Sequence, residues 1–325
     1  VGQPARRADE GESAGMSAPA VERQDRPLFA IMLRLLAMMM IGATYAIGKL
    51  LLERGANLTE VLFYRQLFAF PVAAVWALAM VGTALMPRAP IRGHATRTAL
   101  GRLGMLLNFG AVALLPLAEA TSIGFTMPIF ATILSALLLK ERTGIHRWSA
   151  VLVGFVGVVI MAHPESANFA SMGLFVALAG ALVTAMVAIV LRDLGRTESS
   201  PVIVFWFTLL SLPPMGLLML WFGQSHDLVT WLLFLGLGLT GGIAQLLMTA
   251  ALRWGPVSLV IPMDYSQMIW ATWAGWLLWA TWPEPSTWAG AALIAASGLY
   301  IAWREHVRRS APAVSPTEDR AGKSG

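Results

Sequence analysis

No cysteine occurs among the 325 residues. That absence excludes disulfides, thiolate chemistry and Cys-based metal sites. Charge is also scarce: Asp, Glu, Lys and Arg supply 13% of the chain, against about one quarter in an ordinary soluble domain. Enzyme signatures are missing too. There is no G-x-S-x-G, no H-E-x-x-H, no Gly-rich phosphate loop with a lysine, and no pair of histidines inside an apolar span. All five histidines fall at span ends, in loops or in the tail. No cofactor or metal site is read from the chain. What it has in excess is apolar surface, with 57% hydrophobic residues and a mean hydropathy of +0.67. A water-soluble core cannot absorb that much, so the class is polytopic membrane protein. The net charge of +5 would suggest nucleic acid as a partner of a soluble protein. Here the basic residues sit in short loops between apolar spans, and orientation in a bilayer explains them better.

Residues 1–27 are rich in Ala, Pro, Gly and charges of both signs. They contain no apolar run, so they read as a disordered tail and not a signal peptide; Met16 is a candidate start. A span needs about 20 mostly apolar residues to cross roughly 30 Å of hydrocarbon. Ten segments meet this description: Leu28–Leu52, Thr59–Gly82, Thr98–Pro116, Ala118–Leu139, His146–His163, Met172–Leu191, Pro201–Phe222, Leu228–Ala251, Pro256–Ala280 and Ser286–Trp303. Residues 304–325 form a charged tail. The expected fold is all-α and integral to the membrane.

Lysine and arginine set the orientation. One side receives Arg23, Arg26, Arg88, Arg92, Arg97, Lys140, Arg142, Arg147, Arg192, Arg196, Arg253, Arg304, Arg308 and Arg309. The other receives Arg54 and otherwise His163, Glu165, His226, Asp227 and Glu284. Both termini are therefore expected in the cytoplasm.

An internal repeat runs through the chain at an offset of 140 residues. Pro116, Ile129, Ala131, Thr132, Leu137, Leu138 and Trp148 fall on Pro256, Ile269, Ala271, Thr272, Leu277, Leu278 and Trp288. Thr44, Gly55, Leu106 and Leu107 fall on Thr184, Gly195, Leu246 and Leu247. The units are 28–163 and 172–303, with five helices each. Five is odd, so the second unit enters the membrane from the opposite side. The ten helices thus form two inverted repeats about a pseudo-two-fold axis in the membrane plane, an arrangement that suits alternating access to a midplane site.

Polar groups inside the spans are the candidate substrate-binding residues. A carboxylate at mid-membrane costs roughly 3 kcal/mol unless it faces a partner, water or a ligand. Asp264, with Tyr265 and Gln267 beside it, is the strongest of them. Burial makes it a candidate proton site, which a permanent ion pair would prevent. Arg65 lies several residues into the second span and reads either as a ligand group or as half of a structural pair. Lys49 and Glu119 stand near span ends, where snorkelling or mutual pairing competes with a binding role. Thr44, Tyr45, Thr126 and Thr184 are candidates, although hydroxyls often bond their own helix. Asn108, Gln245 and Gln267 serve either interhelical hydrogen bonds or a solvated cavity. Trp270 and Trp206 offer flat faces to an aromatic or cationic ligand. Trp270, Trp273, Trp276, Trp279 and Trp282 recur every third residue and drift around the helix toward an interfacial belt. Gly236, Gly238, Gly241 and Gly242 allow a close helix approach. Pro71, Pro128, Pro213 and Pro262 are expected to interrupt their helices.

These features resemble the drug/metabolite transporter superfamily, in its ten-helix branch with two EamA-type repeats. The residues carrying the resemblance are Pro128-Ile129-Phe130-Ala131-Thr132, Leu137 to Arg142 through Lys140 and Glu141, Trp148, and Gly154-Phe155-Val156-Gly157. The second copy reads Ile269-Trp270-Ala271-Thr272, Leu277-Leu278, Pro283-Glu284-Pro285 and Gly290 to Gly298. Glu141 meets Thr281 at the repeat offset, so the two copies depart from each other there. The resemblance implies a carrier in the cytoplasmic (inner) membrane for small metabolites, most nearly the aromatic amino-acid and paraquat exporters, and the expected function is export of amino acids or related small metabolites by alternating access through a central cavity. Carriers of nucleotide-sugars, vitamins or drugs are the alternatives within the superfamily. A membrane-embedded enzyme or a scaffold is the alternative outside it. The expected partners are a small-molecule substrate and the lipid bilayer, with no nucleic acid, and the sequence sets no oligomeric state.

Overall fold

A computed structural model describes residues 26–138, 144–162, 168–254 and 257–310. The helices are α1 (Pro27–Glu53), α2 (Leu58–Val81), α3 (Ile91–Leu114), α4 (Leu117–Gly124), α5 (Met127–Leu138), α6 (Ile145–Ala162), α7 (Asn168–Leu194), α8 (Ser200–Phe222), α9 (Leu228–Trp254), α10 (Val257–Val260), α11 (Gln267–Trp279) and α12 (Pro285–Ser310). A 3₁₀ segment, Ile261–Ser266, joins α10 to α11. Residues 1–25 and 311–325, with Lys140, Glu141, Arg142, His163, Glu165 and Pro256, lie outside the described residues, and α12 continues to Ser310, into the segment read from sequence as a tail.

Six segments are long and apolar enough to cross a membrane by length and composition alone, among them α1, α2, α8 and α9. The other four crossings are α3, α6, the broken ninth and α12, while Leu117–Leu137, which spans α4 and α5, is among the six. Helix α3 begins at Ile91, earlier than hydropathy placed it, because its first turns carry Arg92, His94 and Arg97. The fourth crossing is split into α4 and α5, and the ninth into α10, the 3₁₀ segment and α11. The outer surface of the bundle is apolar: Val75, Leu152, Phe175, Leu220 and Ile269 are all more than half exposed, as a lipid-facing belt requires.

Local chemistry explains the breaks. Pro128 has no N–H to close the turn before it, and at the same break the Thr126 hydroxyl donates to the Ile123 carbonyl at 2.7 Å. Pro262 sits in the 3₁₀ segment. Pro71 and Pro213, by contrast, lie inside continuous helices, so the expected interruptions occur at two of the four prolines. Helix α2 starts on a capping box, with Asn57 accepting from the Glu60 N–H and Glu60 accepting from the Asn57 N–H, both at 3.0 Å. Gly55 supplies the positive φ of 91° in the turn before it.

Packing follows the repeat. Helix α1 lies on α9 and α3 lies on α7; α1 meets α11 and α7 meets α5; α2 touches α9 and α3 touches α8. Exchanging the first five crossings for the last five turns each of these pairs into its mate. The pairs α2–α8, α4–α11 and α6–α12 map onto themselves and so mark the pseudo-axis. The fold is all-α, with ten membrane helices in two inverted five-helix repeats. Small residues set the close approaches: at Gly238 an added Cβ would lie 3.0 Å from Phe68 backbone atoms, and at Gly157 it would lie 2.7 Å from the Gly290 carbonyl.

Candidate functional site

A small, partly open cleft lies between α2, α3, α8 and α9. Its polar lining is Arg65 and Gln66 from α2, Arg97 from α3, Thr208 from α8 and Gln245 from α9. From the sequence a central cavity is expected among crossings 1, 3, 4, 6, 8 and 9, with 5 and 10 buttressing it. This cleft takes α3 and α9 from that set but uses α2 and α8 for its other walls. Gly241 lies against the Arg65 guanidinium: a Cβ there would stand 3.2 Å from Nε and Nη2. Arg65 reaches Gln66 Oε1 and Met105 Sδ, both at 3.4 Å. Arg97 covers the Phe207 ring at 4.2 Å, a cation–π contact.

Of the residues singled out from sequence, Arg65 and Gln245 line the cleft together. The others occupy separate settings. The Thr44 hydroxyl meets Thr240 at 2.9 Å and its own helix carbonyl of Met40 at 2.8 Å. Asn108 donates to Thr184 at 3.4 Å, while Thr184 donates to Gly180 at 2.7 Å. These two sites join α1 to α9 and α3 to α7, which are mates under the repeat. Tyr45 packs on Phe109 at 5.2 Å. Lys49 donates to the Leu115 carbonyl at 2.9 Å and lies 5.3 Å above Trp279. Thr126 is satisfied by its own helix end, as described above. Trp206 donates to the Leu85 carbonyl at 2.7 Å, a contact with the α2–α3 connection and away from the cleft lining. Trp270 fills the space left by Gly42 on α1, and its Nε1 is buried without a partner. Gln267 opens α11 half-buried.

Asp264 has a partner that sequence inspection missed. Arg34 Nε and Nη2 donate to Asp264 Oδ1 and Oδ2, the second at 2.6 Å. Arg34 is 5% exposed and sits eight residues into α1. A lone arginine near a basic tail reads as a snorkelling group, and only its burial beside a broken helix reveals the pair. Tyr265 stacks edge-on against Phe125 at 4.9 Å. Arg102 was also missed; it is 8% exposed and donates to the Leu62 carbonyl at 3.2 Å. Among the described residues no group of three or more His, Asp or Glu is arranged to hold a metal ion.

Ten inverted crossings, two broken helices meeting near the axis and polar side chains at membrane depth define a carrier-type bundle. The EamA-like transporter family matches residues 28–162 and 171–303, and the chain belongs to that family. It is 31% identical over 211 residues to a riboflavin transporter of Vibrio cholerae, covering 64% of this chain and 70% of the relative. It is 31% identical over 252 residues to a riboflavin transporter of Rhizobium johnstonii, covering 77% and 83%. A pseudopaline exporter of Pseudomonas aeruginosa is 27% identical and covers 80% of this chain and 92% of its own. One solved crystal structure aligns at a TM-score of 0.58 with 22% identity, covering 85% of this chain and 95% of that one, which supports the fold. The chain is a multi-pass membrane transporter of small metabolites. These relatives are named for riboflavin and pseudopaline, and none of them for an amino acid.

Proposed function

We propose that the protein carries a polar organic metabolite across the cytoplasmic membrane by alternating access, with the cleft between α2, α3, α8 and α9 as its binding site. The observation that carries this reading is the cleft lining itself. Two arginines, two glutamines and a threonine converge between helices of both repeats, where lipid-facing packing would select apolar side chains. Arg65 and Gln245 would contact the solute. Asp264, paired to Arg34, would tie α1 to the broken ninth crossing and not bind substrate directly. Rocking of one repeat against the other would open the cleft to each side in turn.

Solutes like those of the riboflavin and pseudopaline relatives are favoured, and amino acids are the second reading. The basic end formed by Arg88, Arg92, Arg192, Arg196 and Arg253 supports cytoplasmic termini. The test is counterflow in proteoliposomes with labelled riboflavin, a tricarboxylate and a set of amino acids. Accelerated exchange of riboflavin or the tricarboxylate is expected. Exchange of amino acids alone would move the assignment to the second reading, and no exchange of any solute would remove the carrier proposal.

A further inference from the structure

The cleft contains more positive charge than its walls can neutralise. Helices α3, α8 and α9 carry no Asp or Glu, and Glu60 is the sole acid on α2. Glu60 is already engaged: it accepts from Asn57 N–H at 3.0 Å, Gln224 N–H at 2.8 Å and His226 Nε2 at 2.9 Å. Glu198, ahead of α8, accepts from Ala89 N–H at 2.6 Å and faces His94. Asp227, ahead of α9, is paired with Arg54. Among the described residues no carboxylate lies within ion-pair distance of Arg65, Arg97 or Arg102.

Two of the guanidinium groups, Arg65 and Arg102, are nevertheless drawn together, and Arg97 shares the cleft lining with Arg65. Arg65 Nη1 and Arg102 Nη1 both point at the Met105 thioether, at 3.4 and 3.9 Å. A thioether is a weak acceptor and cannot offset two like charges meeting on it. Arg65 Nε, Arg97 Nε and Nη1, and Arg102 Nε are buried with no hydrogen-bond partner. A buried cation without a counter-charge is strongly unfavourable, and buried donors are rarely left unsatisfied. Arginine also presents a planar fork that suits two-oxygen anions.

We infer that Arg65, Arg97 and Arg102 form a receptor for an oxyanion, carboxylate or phosphate, carried by the transported solute. This rests on the carrier reading above and narrows its substrate class to anionic metabolites. The neutral lining of Gln66, Thr208 and Gln245 would then hold the uncharged part.

The test uses detergent-solubilised full-length protein with four probes: tricarballylate, its triamide, inorganic phosphate, and short-chain phosphatidylglycerol. Binding is read as a thermal-unfolding shift. It is read again as protection of Gln245→Cys from a maleimide, with no background thiol in the chain. Tricarballylate or phosphate should shift and protect, the triamide should not, and the effect should fall with added chloride. Arg65→Gln, Arg97→Gln and Arg102→Gln should each raise the half-saturating concentration roughly tenfold or more. Without probe, each variant should unfold at or above the wild-type temperature, because an unpaired cation has been removed. Equal response to the triamide would overturn the inference, as would response to the lipid alone. A large loss of probe-free stability in the variants would show that the arginines are structurally satisfied, and would overturn it too. Gln245→Cys protection keeps all three arginines in place, so a misfolded variant does not decide the matter. Anion binding without any counterflow would leave the receptor standing and remove the carrier reading. Counterflow of neutral solutes with no anion binding would do the reverse.

Discussion

Phe125 and Tyr265 occupy the same position in the two repeats and touch each other, their ring centroids 4.9 Å apart at 68°. A residue can meet its own counterpart only near the axis that relates them. This pair therefore places the pseudo-two-fold at the break between α4 and α5 and the 3₁₀ segment of the ninth crossing. The α6–α12 contact obeys the same axis. Gly157 faces the Gly290 carbonyl, and the counterparts of these two, Ser297 and Ala150, are joined by a hydroxyl donating to a carbonyl at 2.6 Å.

Gly298 is held small by Tyr265. A Cβ there would stand 2.0 Å from the Tyr265 hydroxyl oxygen. Gly298→Ala should destabilise the protein by about 1–3 kcal/mol through overpacking. Tyr265→Phe removes the colliding atom, and the double variant should recover most of that loss. Thermal unfolding in detergent of the two single variants and the double measures the coupling. Strictly additive effects would mean that Gly298 is constrained by something else.

Arg34 and Asp264 should behave as one buried unit. Asp264→Asn leaves a guanidinium that is 5% exposed without its counter-charge, and should cost about 3 kcal/mol. Arg34→Met should cost less, since the Asp264 side chain keeps 33% of its surface exposed and can find water. Arg34→Met combined with Asp264→Leu should be more stable than Asp264→Asn alone. Unfolding temperatures decide this, and a harmless Asp264→Asn would argue against a paired role.

Helices α6 and α12 should tolerate no added methyl at their crossing. An alanine Cβ at 157 would lie 2.7 Å from the Gly290 carbonyl oxygen, and one at 290 would lie 2.5 Å from the Gly157 carbonyl oxygen. Backbone cannot swing aside as a side chain can, so Gly290→Ala should cost about 2–3 kcal/mol. Ser297→Ala, which only removes a hydrogen bond, should cost about 1 kcal/mol. Comparing the two in one unfolding series tests whether close approach or hydrogen bonding governs this contact.

Asp227 caps α9, accepting from the Thr230 hydroxyl and from the Thr230 N–H at 3.1 Å. Those hydrogen bonds, with the nearby Arg54 guanidinium adding to them, hold its carboxyl below the ordinary aspartate value. A depressed folded-state pKa contributes stability above the unfolded value, and that contribution disappears as pH falls through the folded one. Wild type should therefore lose unfolding temperature on acidification below about pH 4 with a steeper slope than Asp227→Asn. Parallel slopes would remove Asp227 from the acid response.

The ten crossings and their inversion were legible because bilayer thickness, helix rise and an odd repeat count act on sequence directly. The glycines of α9 were legible for a similar reason, since a small residue at regular spacing has few uses other than close packing. The prolines divided. Pro128 and Pro262 sit in the first turn after a break, where a missing N–H costs no intrahelical hydrogen bond, while Pro71 and Pro213 lie inside continuous helices. Asp264 was legible as an anomaly, but its partner was not: Arg34 lies 230 residues away, and no local pattern links them. Thr44 and Thr184 were found as repeat equivalents, and each turned out to reach across to the other repeat.

Hydropathy, charge asymmetry and the 140-residue echo by themselves dictated a membrane-embedded pair of opposed five-helix units, because water and lipid sort side chains one residue at a time. Only the folded bundle decided which polar groups share a space. It drew Arg65 and Arg102 onto Met105, set Arg97 over Phe207 and gave Asp264 to Arg34, since those neighbourhoods depend on how helices distant in sequence cross and rotate against one another.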